Sequence, residues 1–171
     1  MSAAASDVRR ILIGSLTADI PAVFVASSYE DGSHVTDVFA FRGSAFRNIT
    51  AAGSGVEPSA VRNYYAYAAD IDEDGRIELP EIHTLPSAAG SEESFSVIDW
   101  YSLTLNAARI HKCTTYHNFS GGWYLTLPGA WQDQLCIVRS AEVGGVRGYT
   151  FCRWNGDAVT EQIFTIYAFS G

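Results

Sequence analysis

One short acidic stretch is the part of this sequence best suited to chemistry. Asp70, Asp72, Asp74 and Glu81 stand at positions 1, 3, 5 and 12 of a loop frame, with Gly75 at position 6 and Ile77 at position 8. At that spacing alternate carboxylates converge on one hard cation, while the glycine allows the sharp turn between ligands. Arg76, at position 7, supplies its backbone carbonyl, so its charged side chain need not oppose the ion. Pro80 adjoins Glu81 and restricts its approach; Glu78, or a water, is then the alternative closing ligand. Calcium is expected rather than magnesium, because a flexible cage of many oxygens suits calcium, whereas magnesium demands a tight octahedron and keeps its water.

Other groupings offer less. His111, Cys113 and His117 share the parity of one strand face, a ligand set for zinc. A regular strand holds the two imidazoles about 20 Å apart, and ordinary packing is the better reading. No Gly-x-Ser-x-Gly elbow or other nucleophile signature occurs, so no catalytic residues are assigned. Trp100, Trp123, Trp131 and Trp154 suit a carbohydrate or peptide groove, but in a β-rich protein such rings mostly fill the core. Cys136 and Cys152 either pair across neighbouring strands or, the favoured reading, stay with Cys113 as buried free thiols.

Net charge is −8, and it is concentrated. Between positions 70 and 93 eight acidic residues face the single base Arg76. With one lysine, Lys112, the chain presents no cationic surface to phosphates, which excludes nucleic acid and anionic membrane as expected partners. No apolar run is long enough to span a bilayer. The opening MSAAASDVRR lacks the order of a signal peptide, and the strand-like run 162–169 stops just short of the end. A fragment of a longer protein is expected, its signal or anchor lying elsewhere.

The elements that must position the loop read mainly as strands. Val8, Ile11, Leu12 and Ser15 recur at helical spacing and predict a short N-terminal helix. Thereafter runs of β-branched and aromatic residues alternate with glycine-bearing turns. Runs 22–28 and 34–42 flank an Asp31-Gly32 hairpin turn, with shorter strands over 45–50 and 62–69. A long antiparallel pair follows over 95–105 and 109–118, then strands over 122–127, 135–139, 147–154 and 162–169. Because 62–69 alternates like a strand, and Pro80 and Pro86 forbid an exiting helix, the acidic loop is not flanked as an EF-hand is.

The string from Asp70 to Pro80, Asp-Ile-Asp-Glu-Asp-Gly-Arg-Ile-Glu-Leu-Pro, resembles the calcium loop of FG-GAP/VCBS-type repeats, the blades of integrin-like β-propellers in bacterial surface proteins. Val35-Thr-Asp-Val-Phe-Ala-Phe41 is similar to the strand after the repeat's turn, although its own turn lacks the repeated aspartates. The stretch from Phe119 to Pro128, with Trp131, resembles bacterial lipoprotein domains of the photosystem extrinsic-protein type.

The expected fold is therefore mainly β: propeller-like antiparallel β units over 1–118 carrying one Asp-rich calcium loop, then a small β-rich (α+β) sandwich over 119–171. The resemblance implies a noncatalytic extracellular or cell-surface binding module for a protein or carbohydrate ligand, with calcium stiffening a loop. The alternative is an accessory portion of a secreted hydrolase.

Overall fold

The computed structural model describes residues 7–30, 33–51, 61–62, 66–131 and 133–169. The chain is mainly β, with three antiparallel sheets, one 3₁₀ turn at Gly129–Trp131 and, among the described residues, no α-helix. No helix among them is long and apolar enough to cross a membrane.

The first sheet has the order β1 (Asp7–Thr17), β2 (Ile20–Ser28), β3 (Ser33–Arg42), β4 (Ala45–Asn48), and β5 (Val61–Arg62) also pairs with β3. The N-terminal helix expected from Val8, Ile11, Leu12 and Ser15 is instead strand β1, antiparallel to β2. A register shift between Val8 and Arg10 accounts for the misleading pattern. An extra residue at a bulge resets the alternation, so Val8 and Ile11 fall on one face at a spacing that imitates a helical turn. The Asp31-Gly32 turn lies outside the described residues. Of the strand expected over 62–69, the structure has β5 and an isolated bridge pairing Ala69 with Glu78.

The second sheet runs β6 (Leu79–Thr84), β7 (Ser96–Leu103), β8 (Arg109–Asn118), β9 (Trp123–Leu127), and the third β10 (Leu135–Arg139), β11 (Val146–Trp154), β12 (Val159–Phe169). Pro80 is the second residue of strand β6 and starts no helix. In the third sheet Cys136 and Cys152 stand directly opposite, and both are buried free thiols.

The fold divides into two compact units, 1–82 with 99–113, and 83–98 with 114–171. The first unit packs Leu16, Phe24, Val38, Ile49, Ile77 and Leu103 into one apolar core. Burial of such side chains stabilises by about 1.5–3 kcal/mol each. The second unit is more aromatic: Phe151 stacks on Phe164 at 4.7 Å and meets the edge of Tyr116 at 5.3 Å, while Trp123 stands edge-on to Tyr149. Here Trp123 serves packing, as Trp131 does against Phe164.

Candidate metal centre

The acidic loop lies within the first unit and is closed at its base by backbone. Ala69 N donates to Glu78 O at 3.1 Å and Glu78 N to Ala69 O at 2.8 Å. The chain thus enters and leaves the loop extended, without the paired helices of an EF-hand. Inside, Glu73 and Gly75 adopt positive φ, 59° and 84°; glycine takes that conformation freely, whereas glutamate does so at some cost. The turn is held by its own acids: Gly75 N donates to Asp70 Oδ2 at 2.9 Å, and Arg76 N to Asp74 Oδ1 at 3.0 Å.

Ile77 ties the loop to the first sheet. Its N–H donates to Ser15 O at 2.9 Å, extending the free edge of β1. Its side chain lies over Gly14, where an added Cβ would come within 2.5 Å of Ile77 Cγ1. A glycine in the strand is what lets the loop come this close.

Three carboxylates converge. One oxygen from each of Asp70, Asp72 and Glu78 lies within 4.8 Å of the others, and this is the one set of three potential ligands brought together among the described residues. Oxygens on a common calcium sit about 2.3–2.6 Å from it, and so no more than about 5 Å apart. Glu78 is 0 % exposed, and its Oε1 has no hydrogen-bond partner, nor does the buried Oδ1 of Asp70. The other Glu78 oxygen, Oε2, accepts from Ile71 N at 3.1 Å. Burial, reinforced by the charges of Asp72 and Asp74, pushes the Glu78 carboxyl up to about 7. Orphaned oxygens on Asp70 and Glu78 are costly, and a divalent cation held by the cluster would offset that cost. The donor set, all oxygen and partly buried, fits calcium.

The remaining sequence candidates are placed differently. Asp74 turns to Lys112, whose Nζ lies 2.5 Å from Asp74 Oδ2 and 3.2 Å from Asp72 Oδ2. The Lys112 hydrogen bond holds the Asp74 carboxyl below its usual range, and Asp74 in turn raises the Lys112 ammonium. Arg76 leans toward the same Asp74 carboxylate, with Nε at 3.9 Å. Glu81 is directed to Arg109, 2.5 Å away, so the acid brought to Asp70 and Asp72 is Glu78. Arg109 also covers the Tyr101 ring at 4.2 Å.

Lys112 and Gly14 are the residues that sequence reasoning missed. As the sole lysine of the chain, Lys112 was a visible oddity, but only the packing of β8 shows which acids it meets. The zinc grouping dissolves: His111 faces Asp99 at 3.6 Å and the edge of Tyr101, while His117 meets Thr115 Oγ1 at 2.8 Å and stacks on Tyr124. Burial lowers the His117 imidazole and raises the Cys113 thiol, the uncharged forms expected of packed side chains.

Comparison of the chain with protein-family models, with curated proteins and with solved structures found no match.

Proposed function

We propose that this chain is a noncatalytic extracellular or cell-surface binding module, built of propeller-like β units of the FG-GAP/VCBS kind, in which one structural calcium stiffens the loop from Asp70 to Glu78. The observation that carries the reading is Glu78: a wholly buried carboxylate with a partnerless oxygen, in reach of two aspartates. Asp70, Asp72 and Glu78 hold the ion. Asp74 and the Arg76 carbonyl join when the Lys112 ammonium withdraws, since an internal cation and a metal compete for the same oxygens.

That competition weakens binding. A site that must displace an ammonium, and a proton below neutral pH, belongs with the extracellular modules whose dissociation constants lie at about 0.1–1 mM. Such a site is filled at the calcium concentrations met outside cells. With the loop rigid, its ligand is a protein or a carbohydrate recognised by the surrounding β surface.

Isothermal titration with calcium, in parallel with thermal melting, tests the metal. Wild type is expected to bind one ion and to melt higher with calcium than with chelator, and Asp72→Ala to do neither. A wild-type protein indifferent to millimolar calcium would remove the ion from the account.

A further inference from the structure

We propose that the cleft between strand β4 and the turn joining β7 to β8 binds a small organic acid, an anion with one carboxylate on an apolar body. The cleft has a volume of about 270 Å³ and lies wholly within the first unit. Sites for drug-sized ligands measure roughly 300–1,000 Å³, so this occupant is small. Ile49, Leu105 and Ala107 line the cleft. Ile49 and Ala107 are buried and Leu105 packs against the core of the unit, which makes the inner wall apolar. Arg42, Arg47, Asn48 and Asn106 supply the polar part of the lining.

Strand register brings the two arginines to the same side. Arg47 stands opposite Ala40, and Arg42 lies two residues beyond Ala40 on β3. Both therefore fall on the face by which Val38 and Ala40 enter the core. At this end of the sheet that face meets the turn after β7, where Arg42 Nη2 donates to Asn106 Oδ1 at 3.1 Å. The turn is fixed in its own right: Ala107 N donates to Thr104 O at 2.8 Å and Ala108 N to Thr104 Oγ1 at 3.1 Å. Ala107 has φ of 63°, a left-handed conformation that alanine keeps only where its surroundings impose it. Asp37, on the neighbouring strand, points to the opposite face and accepts from Asn48 Nδ2 at 2.8 Å.

Charge decides the sign of the ligand. Among the described residues seven basic side chains pair with an acid, and Arg10 covers the ring of Tyr67. The two left over, Arg42 and Arg47, line this one cleft. Arg42 is bonded to a neutral amide, and Arg47 has no hydrogen-bond or ion-pair partner among the described residues. In a chain with 19 acids to 11 lysines and arginines, two guanidinium groups without a carboxylate beside one cavity are a complement for a carboxylate from outside. A guanidinium grips a carboxylate through two parallel N–H bonds. The apolar wall then takes the body of the ligand, which a bare inorganic anion lacks. Two charges at a cleft this small do not form a track for a polyanion.

Amide-detected NMR titration of the full chain with hexanoate, in chelator so that the outcome is independent of the calcium site, reads the cleft residue by residue. Wild type is expected to saturate with a dissociation constant on the order of 1 mM, with the shifts confined to 42–51 and 105–107. Arg42→Gln and Arg47→Gln are each expected to weaken binding about tenfold or more, with circular dichroism unchanged because both side chains are exposed. Hexanol, which lacks the charge, and inorganic phosphate, which lacks the apolar body, are each expected to bind at least about tenfold more weakly than hexanoate. No saturation by about 20 mM hexanoate, shifts centred elsewhere, or an affinity that survives both substitutions would overturn the proposal. So would hexanol or phosphate binding as tightly as hexanoate.

Discussion

Two acidic loops of this molecule treat their charge in opposite ways. Around Ser87–Glu93 the acid is spent locally: Glu93 pairs with Arg139, its N–H donates to Ser91 Oγ, and its carbonyl accepts from Ser87. Between Asp70 and Glu78 the acids outnumber their donors, and two buried oxygens have none. Acidity alone therefore says little about cation binding. What marks a site is anionic oxygen held together where no internal donor reaches it.

Calcium should separate the two loops most strongly. At a concentration about a hundredfold above its dissociation constant it stabilises the fold by about 3 kcal/mol, raising the melting temperature by roughly 6–10 °C for a chain of this size. Calorimetry is expected to find that shift intact in Glu93→Gln and lost in Asp72→Ala; equal shifts in both would erase the contrast.

Next in size is the effect of Glu78 without metal. Its carboxyl rises from an ordinary 4.5 to about 7 in the fold. Between those values the folded state binds the extra proton, so this group's contribution to stability is lost as pH climbs from 4.5 to 7 and stays lost above. Glu78→Gln is expected to melt higher than wild type in chelator at pH 8, by roughly 2 kcal/mol, and to equal it near pH 4.5. The same variant should no longer respond to calcium. Equal melting of the two proteins at pH 8 would show that Glu78 pays no burial cost.

Gly14→Ala probes the anchor rather than the ligands. A methyl there meets Ile77 within 2.5 Å, so a loss of about 1–2 kcal/mol is expected, together with weaker calcium binding by titration. An equivalent change at Gly90, with open space around it but positive φ, should cost about 1–2 kcal/mol through backbone strain and leave calcium affinity alone. The smallest effect belongs to Lys112→Met. Denaturant melts in chelator should move by less than about 1 kcal/mol, while calcium affinity rises several-fold once the competing ammonium is gone.

Much of this was legible in the residues. The strand over 135–139 coincides with β10, and the runs around 22–28, 34–42, 109–118 and 147–154 match β2, β3, β8 and β11 to within two residues, because alternation and turn glycines are local signals. The bulge at Arg9 was not legible, since one inserted residue makes a strand imitate helical spacing. At the loop, the aspartate spacing was plain. The choice between Glu78 and Glu81 was not, because it depends on Arg109 claiming one of them and on burial of the other. Lys112 and Gly14 came from distant strands, and nothing in a linear pattern says which distant strands will meet.

The seat of Ile77 on β1 has a consequence for biosynthesis. Some sixty residues separate Gly14 from Ile77, and contacts of such long range form late, after local hairpins. Strand β1 can pair with β2 early, but its other edge must wait for the acidic turn. Uptake of the proposed ion would then follow the seating of Ile77 on β1.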